Sequence, residues 1–168
     1  MKRLILVRHA KSSWDHPDLR DIDRPLNKRG LKAAPLMGAV LRKRGYVPEA
    51  ILMSPSVRTR MTAGLIAAEL GFSEEEIQVV DSFYGASPGE IVHHARKLPD
   101  EIETAMLVGH NPTWTSLCAR LTGESLDNLP TAGVLIIDFS VAQWSDLEKG
   151  SVTDLLIPRN YGHGGGKS

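Results

Sequence analysis

Four times along this chain a short aliphatic run gives way to a stretch of helical periodicity. That alternation points to an α/β fold built on a mainly parallel sheet. The first run, Leu4 to Val7, has four aliphatic residues in a row, two of them β-branched, as in a strand buried on both faces. Ala50-Ile51-Leu52-Met53, Ile77 to Val80 and Ala105 to Gly109 are the others. Leu31, Ala34, Met37, Val40 and Leu41 recur at helical spacing, predicting a helix over residues 28–44 with Asn27 as its cap and Gly45 at its end. Ser54-Pro55 predicts a serine cap with proline at the first helical position, for a helix reaching Leu70. Ser87 and Glu90 form a capping box for a third helix, and Asn111-Pro112 opens a fourth that runs to Leu121. Val134 to Phe139 and Val152 to Ile157 read as a closing antiparallel pair. The expected architecture is a three-layer sandwich, with the sheet between helices.

The 168 residues suffice for one domain, expected over residues 1–160, with the glycine-rich residues 161–168 as a flexible tail. Twenty basic residues balance twenty acidic ones, so no overall field favours nucleic acid or an anionic membrane as partner. Trp14, Trp114 and Trp144 are scattered rather than interleaved with basic residues, which argues against a stacking platform for single strands. The single cysteine, Cys118, excludes an internal disulfide and any multi-thiolate metal site, and its apolar setting predicts a buried, inert thiol. No stretch approaches the roughly 20 apolar residues of a membrane span. Arg8 interrupts the N-terminal apolar run too early for a signal peptide, so a cytoplasmic location is expected.

Three of the four predicted strands end alike. The first runs into Arg8-His9, the second into Ser54-Pro55-Ser56-Val57-Arg58, the fourth into Gly109-His110-Asn111-Pro112. In open α/β sheets ligands bind outside the carboxyl ends of the strands. Parallel strands would therefore bring two arginines and two histidines together beside helix N-termini that favour anions. Arginine's planar fork matches phosphate oxygens, so the convergence predicts a phosphate cradle. A histidine within it can attack phosphorus and divide one difficult displacement into two. His9 is the expected nucleophile, kept unprotonated by the nearby arginines, and His110 the expected donor to the phosphoryl oxygens. The arginines supply the positive charge, so neither a metal nor another cofactor is expected. The long segment 10–26, with two prolines and four aspartates, is read as a functional loop. Trp14 and Tyr84 are expected near the rim.

Val7-Arg8-His9-Ala10, Ser54-Pro55 with Arg58 and Thr62-Ala63, and Val108-Gly109-His110-Asn111 resemble the signature blocks of the histidine phosphatase superfamily. Ala10 stands where the familiar first block has glycine. With Arg24-Pro25-Leu26-Asn27 and Gly30, the chain is most similar to the SixA-type phosphohistidine phosphatases, from about Lys2 to Leu156. The resemblance implies His9 as the phosphorylated nucleophile, with Arg8, Arg58 and His110 completing the pocket. It also implies Arg24 as an added phosphate or substrate contact; Asn111 closes the third block and Lys11 adds positive charge near the mouth, so both are counted as phosphate-binding candidates.

The larger members of the family use an acidic proton donor. Glu90 and Asp81 are the nearest candidates here, and neither matches well. A pocket without an acid suits phosphoramidates, whose imidazole leaves more easily than an alkoxide. The implied activity is metal-independent removal of phosphate from phosphohistidine on a protein. The alternatives are a phosphomonoesterase for a small phosphorylated metabolite and a non-catalytic phosphate-binding adaptor.

Overall fold

The computed structural model describes residues 1–162. Its strands are β1 (Lys2–Arg8), β2 (Ala50–Met53), β3 (Ile77–Val79), β4 (Thr104–Gly109), β5 (Val134–Phe139) and β6 (Ser151–Leu156). They form a single sheet in the order β3-β2-β4-β1-β5-β6. β3, β2, β4 and β1 run parallel. β5 pairs antiparallel with β1 and β6 antiparallel with β5, the expected closing pair.

The helices are α1 (Lys28–Arg44), α2 (Val57–Leu70), α3 (Pro88–Ala95) and α4 (Thr113–Thr122). The alternation of side chains along each strand divides the core in two. Leu4, Leu6, Leu52 and Leu107 pack with Ile91 and Val92 of α3 and with Trp114 and Leu117 of α4. Ile5, Val7, Ile51, Met106 and Val108 pack with Met37 and Leu41 of α1 and with Ile66 of α2. Each fully buried aliphatic side chain of this kind contributes about 1.5–3 kcal/mol of transfer free energy. The sheet is thus covered on both faces, as its unbroken aliphatic runs require. Cys118 lies in the first of these clusters.

Three local expectations are corrected. Leu31 belongs to α1 but stays 45% exposed, because the buried stripe of that helix runs through Gly30, Ala34, Met37 and Leu41. α2 is capped by Ser56 and begins at Val57, so Ser54 and Pro55 precede the helix. α4 begins at Thr113, and Asn111 reaches forward from outside it to accept the Thr115 backbone N–H at 3.1 Å. At the carboxyl end Tyr161 is half-buried against the second cluster, so the folded part extends past residue 160. Residues 163–168 of the expected tail lie outside the described residues.

Gly30 accounts for one of the signature positions. A Cβ there would meet the backbone carbonyl of Lys11, so the bare glycine lets α1 close on the segment that follows β1. The Asn27 side chain caps α1 through the Gly30 N–H at 2.9 Å, while the Asn27 N–H donates to the Lys11 carbonyl at 3.0 Å. This joint fixes the start of the long loop beside the carboxyl ends of the strands.

Candidate active site

The register of the sheet sets Arg8 opposite Gly109 and Met53 beside Val108, so the ends of β1, β2 and β4 are level. His9, Ser54 and His110 follow directly from them. Two backbone bonds tie these ends together: the His9 N–H donates to the Gly109 carbonyl at 3.0 Å and the Ser54 N–H to the Val108 carbonyl at 3.2 Å. Ala132, at a φ of 60° that alanine rarely adopts, donates its N–H to the carbonyls of both Arg8 and His9. Thr62 of α2 accepts the Ala10 N–H at 2.9 Å and donates to the Arg58 carbonyl at 2.7 Å, locking α2 to the segment that follows β1.

His9 is 8% exposed, and its ring centroid is 5.3 Å from that of His110. Its Nδ1 is 2.7 Å from the Ala10 carbonyl, which can only accept, so the proton sits on Nδ1 and Nε2 keeps a free lone pair. His110 Nε2 meets the Ser54 hydroxyl at 2.8 Å, and the Tyr84 ring stands edge-on to His110 at 5.5 Å. Arg8 donates Nη1 to the Leu129 carbonyl at 3.0 Å. Arg58 is 5% exposed and donates Nη1 to the Asp21 carbonyl at 2.6 Å and Nη2 to the Asp21 carboxylate at 2.9 Å. The Nε atoms of both arginines are buried and find no partner among the described residues. Buried donors of this strength are almost always satisfied. The charges of Arg8 and Arg58 both act on the His9 ring, so two cations gather beside a buried histidine.

Across residues 4–97 the sequence matches the profile of the histidine phosphatase superfamily (branch 1). The chain belongs to that superfamily. The assigned phosphohistidine phosphatase SixA from Agrobacterium tumefaciens is 30% identical and superposes with a TM-score of 0.81, covering 94% of this chain and 98% of that one. The protein histidine phosphatase SixA in complex with tungstate shares the fold at 20% identity, with a TM-score of 0.83 over 94% of this chain and 98% of its own. An uncharacterized chloroplastic protein of Arabidopsis thaliana is 36% identical over 154 residues, which is 86% of this chain and 70% of that protein. The molecule is therefore a SixA-type histidine phosphatase.

In this phosphatase the four residues expected in the cradle, Arg8, His9, Arg58 and His110, do stand together. Arg24 is held within the 10–26 loop through its Nε and Nη1. It is buried and engaged with the Asp21 carboxylate at 3.2 Å, the Ser12 hydroxyl at 2.8 Å and the Ser13 carbonyl at 3.1 Å, with Trp14 stacked on it at 3.7 Å. It organises the 10–26 loop. Asn111 is likewise occupied, donating to the Leu129 carbonyl and the Asn128 side chain and accepting from Thr115. The Lys11 side chain is exposed, and its backbone holds the joint with α1. Glu90 accepts the Ser87 N–H at 2.7 Å in the capping box on the exposed end of α3, and Asp81 is exposed in a short 3-10 turn.

The residue not anticipated is Asp21, whose carboxylate joins Arg58, Arg24 and the Tyr84 hydroxyl, the last at 2.6 Å. The crowding of aspartates in the loop was the available signal, but nothing in their spacing singled out one of the four. Ser54, expected as a helix cap, instead serves His110. Among the described residues no three His, Cys, Asp or Glu side chains group as metal ligands, and no helix is long and apolar enough to cross a membrane.

Burial is the leading reason that the His9 pKa is pushed down to about 3. The Ala10 bond opposes it, and the charges of His110, Arg58 and Arg8 add smaller contributions. The arginines are thus secondary to desolvation, the reverse of the weighting inferred from sequence. His110 falls to about 4, again through burial first, then Arg58, with the Asp21 carboxylate pulling the other way. Both rings are expected to remain neutral at pH 5.5, measured by imidazole nitrogen shifts in NMR. The unfolded chain takes up protons on both rings below about pH 6.5, whereas the folded one does not until about 4 and 3. Unfolding therefore binds protons in that window, and the urea midpoint should fall as pH drops from 6.5 toward 4. Rings titrating near 6.5 in the folded protein would contradict this.

Proposed function

We propose that this histidine phosphatase works without a metal, through a phosphoryl group carried on His9 Nε2, and that its substrate is phosphohistidine on a protein. The observation that carries the reading is the gathering of Arg8, Arg58 and His110 around a histidine whose tautomer leaves Nε2 free. Arg8, Arg58 and His110 hold the phosphoryl oxygens and offset the charge that develops on them. Water then attacks the phosphorus of phospho-His9, the P–N bond breaks and phosphate leaves.

The preference for a phosphoramidate is supported by the state of the nearby acids. Glu90 is engaged in its cap, and Asp21 is held well below the usual carboxylate range, chiefly by the Tyr84 hydroxyl and then by Arg58. Neither is a ready proton source for an alkoxide. A protein substrate is supported by the open cleft of about 700 Å³ that begins at Arg8 and is lined by Pro112, Thr115, Leu126 and Asp127.

The test is initial rates on a phosphohistidine peptide and on an aryl phosphate, with a chelator present. Chelator-resistant turnover favouring the phosphohistidine peptide is the expected result. Equal or faster ester hydrolysis would favour a small-metabolite phosphomonoesterase, and phosphate binding without turnover of either would favour an adaptor.

A further inference from the structure

Asp21 is an odd residue to find against a phosphate seat. Its carboxylate and carbonyl take both terminal nitrogens of Arg58, and its charge opposes a dianion. Exposure orders the site from floor to mouth: His9 at 8% and Arg58 at 5%, then Tyr84 at 38%, with the Asp21 side chain at 52%. An in-line displacement by His9 at the floor expels the leaving group toward the mouth. A carboxylate has about four acceptor positions. Arg24 uses one on Oδ1, and Arg58 and Tyr84 use two on Oδ2, so one on Oδ1 is still open.

We infer that Asp21 selects the leaving group, accepting a hydrogen bond from a cationic one and discriminating against anionic ones. The inference rests on the proposed attack by His9. For phosphohistidine the step balances without a proton donor. The ring nitrogen that bears no phosphoryl group is protonated, and its N–H donates to Asp21 Oδ1. His9 Nε2 forms the new N–P bond as the old P–N bond breaks. The bonding pair stays on the departing nitrogen, and the ring leaves as neutral imidazole, keeping the proton it brought. A carboxylate that stays ionised is suited to this acceptor role and unsuited to acid catalysis.

The experiment compares the wild-type protein with Asp21→Asn, which preserves size and removes charge. Two readouts are taken: kcat/KM on phosphoimidazole, and inhibition constants for ethanolamine phosphate and phosphoglycolate, which differ in the charge beyond the phosphate. The wild type is expected to bind ethanolamine phosphate about tenfold more tightly than phosphoglycolate. Asp21→Asn should abolish that preference and lower kcat/KM on phosphoimidazole by about ten- to a hundredfold, the size of one charge-assisted hydrogen bond. Parallel changes for both inhibitors would make Asp21 merely the support of Arg58 and overturn the inference, as would a wild type without preference. Should phosphoimidazole resist turnover while the inhibitor preference holds, the phosphohistidine reading fails and charge selection by Asp21 stands.

Discussion

Replacing His9 by asparagine is expected to lower kcat on any accepted substrate by about four orders of magnitude or more, the scale on which removal of a nucleophile acts. Asparagine is the informative choice because its side-chain amide can still donate to the Ala10 carbonyl, the bond that holds His9 at 2.7 Å. It cannot form a stable phosphoryl intermediate. The fold should tolerate the change, since the backbone of His9 is fixed by bonds to Gly109 and Ala132 that do not involve the ring. Thermal unfolding checks that point, and phosphate affinity should persist because Arg8 and Arg58 are untouched. If the variant retained a tenth of wild-type activity, His9 would not be the nucleophile.

Arg58→Lys is the second large effect, with an expected loss of about 10²–10³ in kcat/KM. Lysine keeps the charge but has one nitrogen where arginine has three. Arg58 uses two on Asp21, and its charge also acts on the His9 ring. A lysine must abandon one duty: either the loop segment at Asp21 loses its anchor, or His9 loses the charge beside it. Steady-state kinetics with calorimetry of phosphate binding checks this. A loss below fivefold would mean that the guanidinium's charge matters and its fork does not.

Much of this is legible in the sequence alone. The unbroken aliphatic runs Leu4 to Val7 and Ala105 to Gly109 could be stable only if covered on both faces, and their carboxyl ends carried Arg8-His9 and His110. What the sequence concealed was decided by contacts between distant segments. Ser54-Pro55 has a helix-start pattern, but Ser56 caps α2 and the Ser54 hydroxyl is taken by a histidine 56 residues away. Arg24 reads as a phosphate ligand, yet its Nε and Nη1 are spent on Asp21, Ser12 and Ser13. Asp21 itself meets Arg58 and Tyr84 across 37 and 63 residues. No local pattern of turn residues or charges encodes such a meeting.

The direct test of the account is to catch the phosphoryl group in transit. The enzyme is mixed with a phosphohistidine peptide, quenched at basic pH within the first turnover, digested and mapped by mass spectrometry. The account predicts one acid-labile phosphoryl group on the peptide carrying His9, and none in His9→Asn. Turnover with no such adduct at any quench time, or a phosphoryl group on His110 instead, would contradict it.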